Sequence, residues 1–255
     1  MTYKFIFVIV SSSNLSEDNV YYKSNAKYAL LKKWNKLYFD LFKEHIKFFY
    51  IEFNEIIEND ILVEEDIIYI KGNEFPIVPN MLLKTQKALD YIHTNYEYEY
   101  IINTNLSSLW NIPTLLLLYN EIPRNHFFGG HVMFNSFITG TGIIISRDLI
   151  PLFLNLNINH YHDNNDVAIS LYMKNNNIPI HSLEHYQNYK LDWQILSETC
   201  TDITSPHHKN NITVIYDNTN TNHILYFRIR NETIEQDLYI TKKLLKKLYN
   251  IEITV

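Results

Sequence analysis

Two of the chain's four arginines alternate within one apolar segment near the C-terminal end. Arg228 and Arg230 lie in HILYFRIRN (223–231), whose β-branched and aromatic content is typical of a strand. Successive side chains of a strand point to opposite faces, so both guanidinium groups share one face. Because arginine binds phosphate oxygens in a bidentate manner, the pair indicates an anion site. An exposed strand face with solvated charges is the alternative.

The segments that would position such a site alternate between strand-like and helix-like sequence patterns. Residues 4–10, 46–53, 67–71 and 98–103 have the composition of buried strands. Residues 16–44, 81–94 and 106–119 have the apolar spacing of helices, and Pro113 stands near the start of the last one. This alternation predicts an α/β fold with a mainly parallel central sheet flanked by helices.

The second half of the chain is predicted to complete the same domain. A strand at 137–146, helices at 148–154 and 166–173, strands at 212–216 and 223–230, and a closing helix at 237–249 are expected. No linker rich in Pro, Gly or Ser and no internal repeat interrupts the chain. We expect one domain over residues 1–255, in two halves (1–120 and 121–255), with a small mixed C-terminal subregion.

Three loops are predicted to lie at the ligand-binding edge of the sheet. Ligands of open parallel sheets bind beyond the carboxyl ends of the strands, which points to Ser11–Asn14, Asn103–Ser108 and the loop after Ile70. None of them contains the glycine-rich pattern of dinucleotide-binding or P-loop proteins, so those classes are disfavoured. A nucleotidyltransferase is the lesser alternative, because the first loop lacks glycine and basic residues.

The overall composition limits which partners and which cellular compartment are expected. A net charge of −6 and a pI of about 6.0 argue against a general affinity for nucleic acid. No apolar run reaches 18 residues, so no membrane span is expected. The single Cys200 indicates a reducing compartment, and we expect a cytoplasmic protein. The many Asn, Ile, Tyr and Lys residues suggest an AT-rich genome. The oligomeric state stays open.

Four segments, in order, resemble the β-1,3-galactosyltransferase and Fringe-like glycosyltransferases over about residues 1–185. They are ILVEEDIIYIKGNEFPIVPNMLLKTQKAL (61–89), YEYEYIINTNLSSLW (96–110), FITGTGIIISRDLIPLF (137–153) and HDNNDVAISLYMKNNNIPI (162–180). They correspond to an E…D-I-I…N-L-x-x-K-T block, a strand ending in an Asp-rich motif, a G-x-G-x-x-x-S-x-D segment and an E/D-D-V-x-x-G block. The AT-rich composition also suggests a glycosyltransferase of a large DNA virus, acting in the host cytoplasm.

This resemblance implies a GT-A fold and a hexosyltransferase activity. Such enzymes move a sugar from a nucleotide-sugar, usually a UDP-sugar, to a hydroxyl of a glycan or glycoprotein acceptor. Residues 1–120 would then bind the nucleotide and residues 121–255 the acceptor. We expect transfer with inversion. A catalytically degenerate module that only binds a nucleotide or sugar is the alternative.

The resemblance also implies a divalent metal, Mn²⁺ or Mg²⁺, at the Asp-rich motif. Asn103, Thr104 and Asn105 occupy that motif and include no carboxylate. Since these cations prefer carboxylate oxygens, the substitution argues against a metal. The adjacent His207 and His208 are weak candidate ligands from a polar loop, because two histidines in such a loop are more often simply exposed.

The matched positions supply the candidate site residues. Asp166, the second acid of the D-D-V block, would be the base that deprotonates the acceptor, with Asp163 as the fallback. A helix cap is the alternative for Asp166. The remaining candidates for donor binding are Ser11, Ser12, Ser13, Lys84, Thr104, Asn105, Gly140, Arg228 and Arg230.

Several of these candidates have a purely structural alternative. Asn105 is also typical of a turn or of a helix cap ahead of Leu106. Lys84 is equally expected as a surface lysine of a helix. The pair Gly140 and Gly142 suits the wall of a sugar pocket or a plain turn. Trp110 and Tyr98 are candidates for stacking on sugars, although core packing is the more common role of such residues.

Overall fold

A computed structural model describes residues 1–12, 25–158, 165–183, 190–196, 212–214, 224–229 and 233–253 of the 255-residue chain. These residues contain six α-helices and twelve strands, and the strands form two sheets. The helices are α1 (Asn25–Asp40), α2 (Ile77–Asn95), α3 (Ile112–Leu118), α4 (Ile150–Leu154), α5 (Asn165–Asn175) and α6 (Ile234–Tyr249).

The larger sheet has eight strands in the order β3-β4-β2-β1-β5-β8-β7-β9. β4, β2, β1 and β5 run parallel, while β3 and β8 pair antiparallel with β4 and β5. The predicted α/β class with a mainly parallel, helix-flanked sheet is therefore confirmed. The strands are β1 (Thr2–Val10), β2 (Ile46–Asn54), β3 (Ile61–Glu64), β4 (Ile67–Lys71), β5 (Glu97–Asn105), β7 (Phe128–Met133), β8 (Phe137–Ser146) and β9 (Ile180–Ser182).

Apolar cores cover both faces of this sheet, which explains why its central strands read as unbroken apolar runs. Along β1, Phe5 and Phe7 face the core formed with α1, α3 and α6, whereas Ile6 and Val8 face the core formed with α2, α4 and α5. The result is a helix–sheet–helix sandwich that fixes the carboxyl ends of the parallel strands along one edge.

The smaller sheet joins the C-terminal region to the rest of the fold. Its order is β11-β10-β12-β6, from β6 (Ser108–Trp110), β10 (Lys190–Leu196), β11 (Ile212–Val214) and β12 (Ile224–Ile229). β12 pairs antiparallel with β6 and parallel with β10, so the predicted mixed subregion is confirmed. Because β6 follows β5 closely in the sequence and pairs with β12, the C-terminal strands lie next to the end of β5.

The helix predicted over 106–119 is wrong in its first half. Ser108–Trp110 is a strand because it pairs with β12, and this tertiary pairing overrides the local helical spacing. The helix begins only after Asn111, whose side-chain oxygen accepts the backbone N–H of Thr114, and Pro113 occupies its first turn.

None of the helices within the described ranges is long and apolar enough to cross a membrane.

Candidate functional site at the carboxyl edge of the sheet

The ends of β1 and β5 and the first half of β8 meet at one point of the carboxyl edge. Val10 lies opposite Asn105 in the parallel pair, and Thr104 lies opposite Gly142 in the antiparallel pair. Ser11 follows Val10 directly. Two of the three loops that the sequence predicted at the ligand-binding edge, those after β1 and β5, are therefore adjacent to each other and to the segment of β8 that carries Gly140.

Asn105, Gly140 and Asp166 form a chain of hydrogen bonds across this edge. The amide nitrogen of Asn105 donates to the carbonyl oxygen of Gly140 at 3.1 Å, and the backbone N–H of Gly140 donates to Asp166 Oδ2 at 2.9 Å. Asn105 Oδ1 accepts the hydroxyls of Ser107 and Ser108, both at 3.0 Å. Asn105 therefore braces the loop between β5 and β6 and does not cap a helix.

The N-terminal turn of α5 positions Asp166. Its second carboxyl oxygen accepts the backbone N–H of Val167 at 3.0 Å, and the positive end of the helix dipole favours a carboxylate there. Ala168 and Ile169 anchor the same helix in the core, and the hydroxyl of Ser170 accepts the backbone N–H of Ile138. Asp166 is thus a helix-terminal carboxylate that is also fixed against β8.

Thr104 is placed away from the edge, in the interior. It is 2% exposed, its hydroxyl donates to the carbonyl of Thr141 at 2.5 Å, and it accepts the indole N–H of Trp110 at 3.1 Å. Along β5 its side chain points to the core opposite that of Asn103. The Thr104 hydroxyl therefore has a structural role within the core.

Arg228 lies close to Asn105, the first residue of the hydrogen-bonded set formed with Gly140 and Asp166. It pairs with Ser108 across β12 and β6, and directly opposed side chains of such a pair lie on the same face. The hydroxyl of Ser108 reaches Asn105, and Tyr226, two residues from Arg228, bonds Thr141 Oγ1 through its hydroxyl at 2.7 Å. The predicted cation is thus half-buried on the strand face that points to the site.

Lys84 does not offer its ammonium group to this edge. It is 1% exposed, and it donates to both carboxyl oxygens of Glu74, at 2.7 and 2.8 Å, and to the carbonyl of Ser11 at 3.0 Å. Three acceptors use the three N–H donors of an ammonium group, so none remains for a phosphate. Burial lowers the pKa of Lys84, and the charge of Glu74 opposes that shift.

Ser11 is fixed from two sides. Its hydroxyl donates to Glu52 at 2.5 Å, and Glu52 also pairs with Lys32 of α1. Its backbone N–H donates to the carbonyl of Ile51 at 3.2 Å, and its carbonyl accepts Lys84. Ser12 follows with a buried hydroxyl that has no hydrogen-bond partner among the described residues. The first predicted loop therefore starts from a rigid point.

The described strand end does not fit a Mn²⁺ or Mg²⁺ site. Asn103 is 4% exposed, and its buried Oδ1 has no partner within the described ranges. Thr104 faces the interior, and Asn105 uses its amide groups within the protein. Across the described ranges no group of three or more His, Cys, Asp and Glu side chains could hold a metal ion. No step through a metal follows from these residues.

The two glycines of β8 differ in what they approach. A Cβ on Gly142 would lie 2.5 Å from Trp110, whereas a Cβ on Gly140 would lie 3.5 Å from Asp166, an ordinary contact. Gly142 thus serves packing of Trp110, and Gly140 borders the candidate base. Trp110 and Tyr98 are both buried in the cores, so the alternative of core packing holds for them.

Five candidates lie outside the described residues. They are Ser13, Asp163, His207, His208 and Arg230.

The sequence reasoning missed two acids next to the site, Glu52 and Glu74. Glu52 is fully buried within β2, where it interrupts the apolar run from Phe48 to Phe53, and this interruption was the signal that could have identified it. Glu74 lies in a polar loop and gives no comparable signal. Glu52 accepts the hydroxyl of Ser11 directly, and Glu74 acts on Ser11 through Lys84.

No protein-family model and no curated protein sequence matches the chain. Two solved structures of the galactosyltransferase LgtC are similar to it. One is a complex with donor and acceptor sugar analogs, with a TM-score of 0.47 and 10% sequence identity over 98% of this chain and 97% of that one. The other is an active-site mutant, with a TM-score of 0.47 and 9% identity over the same shares of both chains.

Proposed function

We propose that the chain is a GT-A-type glycosyltransferase that moves a sugar from a nucleotide-sugar donor, of which a UDP-sugar is the expected form, to a hydroxyl acceptor. The hydrogen-bonded chain from Asn105 through Gly140 to Asp166 carries this proposal. It puts one fixed carboxylate at the carboxyl edge of a parallel sheet, where ligands of such sheets bind.

Asp166 would act as the general base. It would accept the proton of the acceptor hydroxyl while that oxygen forms a bond to the anomeric carbon of the donor sugar. The bond from the same carbon to the diphosphate oxygen would break, and the nucleoside diphosphate would leave with the electron pair. A single displacement of this kind inverts the configuration at the anomeric carbon and requires one carboxylate.

Arg228 would supply the positive charge for the diphosphate. The strand end at Asn103–Asn105 is neutral, and Lys84 is saturated by Glu74 and Ser11, so charge must come from another element. Among the described residues, Arg228 is a cation on a strand face that adjoins Ser108, whose hydroxyl bonds Asn105. A guanidinium can hold two phosphate oxygens at once, which suits a leaving diphosphate.

The neutral strand end also favours a second candidate, a module that binds a nucleotide or sugar without turnover. This alternative keeps the fold and the donor pocket and assigns Asp166 only to the start of α5, where it accepts two backbone N–H groups. Binding and turnover, measured on the same preparation, separate the two candidates.

A ligand panel tests the proposed function. UDP-, GDP- and dTDP-sugars would be titrated calorimetrically in EDTA and again with Mn²⁺, and release of the nucleoside diphosphate would be followed with simple sugar acceptors. We expect one nucleotide series to bind in EDTA and to be turned over. Binding without turnover on any donor would favour the module, and no binding in either condition would contradict the proposal.

A further inference from the structure

We propose that Phe75 forms the stacking platform for the nucleobase of the donor, on a loop that Lys84 fixes to the end of β1. This inference rests on the proposed function and adds a recognition residue to it. Phe75 follows β4 at the carboxyl edge, and it is 43% exposed. An aromatic ring with that much exposed surface gains contact area when a flat base covers it.

The contacts of Glu74 hold the loop that carries Phe75 close to the end of β1. Glu74 precedes Phe75 directly and binds Lys84 through both carboxyl oxygens, at 2.7 and 2.8 Å. The same ammonium group donates to the carbonyl of Ser11 at 3.0 Å. The buried ammonium group of Lys84 therefore joins the loop that carries Phe75 to Ser11, the residue before Ser12 with its buried hydroxyl.

Further hydrogen bonds keep the loop in one conformation. The backbone N–H of Phe75 donates to Asn73 Oδ1 at 3.0 Å, and the side chain of Asn80 donates to the carbonyl of Asn73 at 2.9 Å. Gly72, with a φ of +148°, makes the turn from β4 into this loop, and Phe53 packs against that turn. An aromatic residue on such a braced loop binds a ligand without the cost of ordering the loop backbone.

Every base has an aromatic face, so stacking binds the nucleoside part and leaves the sugar and phosphates to other groups. Lys84 is a positioning residue in this arrangement, because it acts through Ser11 and Glu74. The ligand class recognised at Phe75 is thus the base of a nucleoside mono- or diphosphate, and the diphosphate lies toward Asn105 and Arg228.

Calorimetric titrations with UDP, UMP and pyrophosphate test this assignment. The variants are Phe75→Leu, the conservative Phe75→Tyr, and Phe134→Leu as a control at an exposed aromatic residue of the β7–β8 turn. For Phe75→Leu we expect Kd values about 10-fold higher for UDP and UMP and an unchanged Kd for pyrophosphate, since only the nucleotides carry a base. Phe75→Tyr and Phe134→Leu should bind all three like the wild type.

Three results would overturn the inference. If the wild type binds UDP and Phe75→Leu binds it equally well, the platform is wrong while the proposed function stands. If Phe75→Leu loses affinity for pyrophosphate to the same extent, the residue acts on the loop and not on the base. If the wild type binds none of the nucleotides, the inference and the proposed function both fail.

The role of Lys84 is tested with a charge-neutral double variant, Lys84→Met with Glu74→Leu. Removal of both partners of a buried ion pair leaves no uncompensated charge, so the fold is expected to persist with a similar thermal midpoint. The bond to the Ser11 carbonyl is lost, and we expect UMP to bind about 10-fold more weakly. A folded double variant with wild-type affinity for UMP would contradict the positioning role.

Discussion

Asp166 accepts the backbone N–H of Gly140 at 2.9 Å, so the carboxylate at the start of α5 is tied directly to strand β8. Because Asn105 holds the carbonyl of the same Gly140, the end of β5 and the start of α5 share one peptide unit as their link. This link places a fixed acid beside the strand end that lacks acids of its own.

Arg228→Met should weaken binding of UDP about 10-fold and binding of uridine only slightly. A charged hydrogen bond to phosphate contributes about 1.5–3 kcal/mol, and uridine has no phosphate with which to make it. Arg124→Met is the matched control, since Arg124 stacks over Tyr119 at 3.6 Å and bonds Glu99, away from the site. Calorimetric titration provides the test. Equal losses for UDP and uridine would show that the fold, not the charge, had changed.

Thr104→Val and Asn105→Ala should separate stability from binding. Valine would leave the indole N–H of Trp110 without an acceptor, so we expect unfolding free energy to fall by about 1–3 kcal/mol with unchanged UDP affinity. Asn105→Ala should reduce turnover more than stability, because it releases Gly140 beside Asp166. Urea denaturation and a transfer assay on both variants measure this. Reversed effects would place Thr104 in the donor site.

Gly142→Ala should lower stability, and Gly140→Ala should not. The new methyl group at 142 would lie 2.5 and 2.9 Å from two carbon atoms of Trp110, and such overpacking costs about 1–3 kcal/mol. At 140 the nearest atoms belong to Asp166, at 3.5 Å, so the fold has room. Thermal unfolding of the two variants provides the comparison, and equal melting temperatures would contradict it.

Stability should decrease as the pH falls below about 6.5. Burial lowers the pKa of His93 from 6.5, with the charge of Arg147 acting in the same direction, and burial lowers that of His181. The unfolded chain therefore binds protons more readily than the folded chain in that range, and protonation favours unfolding. Urea midpoints at about pH 7.5 and about pH 5.5 test this. His93→Gln should show a smaller decrease than the wild type.

The sheet was predictable from the sequence because its strands are buried on both faces. Their apolar runs and the intervening helical spacing identify β1, β2, β4 and β5 with boundaries close to the observed ones. Ser108–Trp110 was not predictable in the same way, since its strand pairing depends on β12, more than a hundred residues away. The spacing of apolar residues within a segment does not indicate a strand partner so distant in the sequence.

The site was predictable in location and only partly in residue roles. Strand order gave the carboxyl edge, and it brings Ser11, Asn105 and Asp166 to one region. The role of Lys84 could be assigned only from the structure, because its acceptors Glu74 and Ser11 are far apart in the sequence. A sequence pattern shows that a cation is present but not which groups neutralise it.

Asp166→Asn tests the central claim most directly. The amide oxygen of the variant can still accept the N–H of Gly140, so the link to β8 is retained, while the local bond to the N–H of Val167 is lost. The amide cannot take up a proton. Asp148→Asn is the matched control: Asp148 also accepts a backbone N–H, that of His126 at 3.0 Å, and it lies beside Ser146 at the other end of β8.

Transfer from the donor that binds best and the Kd of UDP would be measured for both variants. We expect Asp166→Asn to bind UDP within about two-fold of the wild type and to lose about 10²–10⁴-fold in turnover, the usual contribution of a general base. Asp148→Asn should retain both properties. Near-normal turnover by Asp166→Asn would contradict the account.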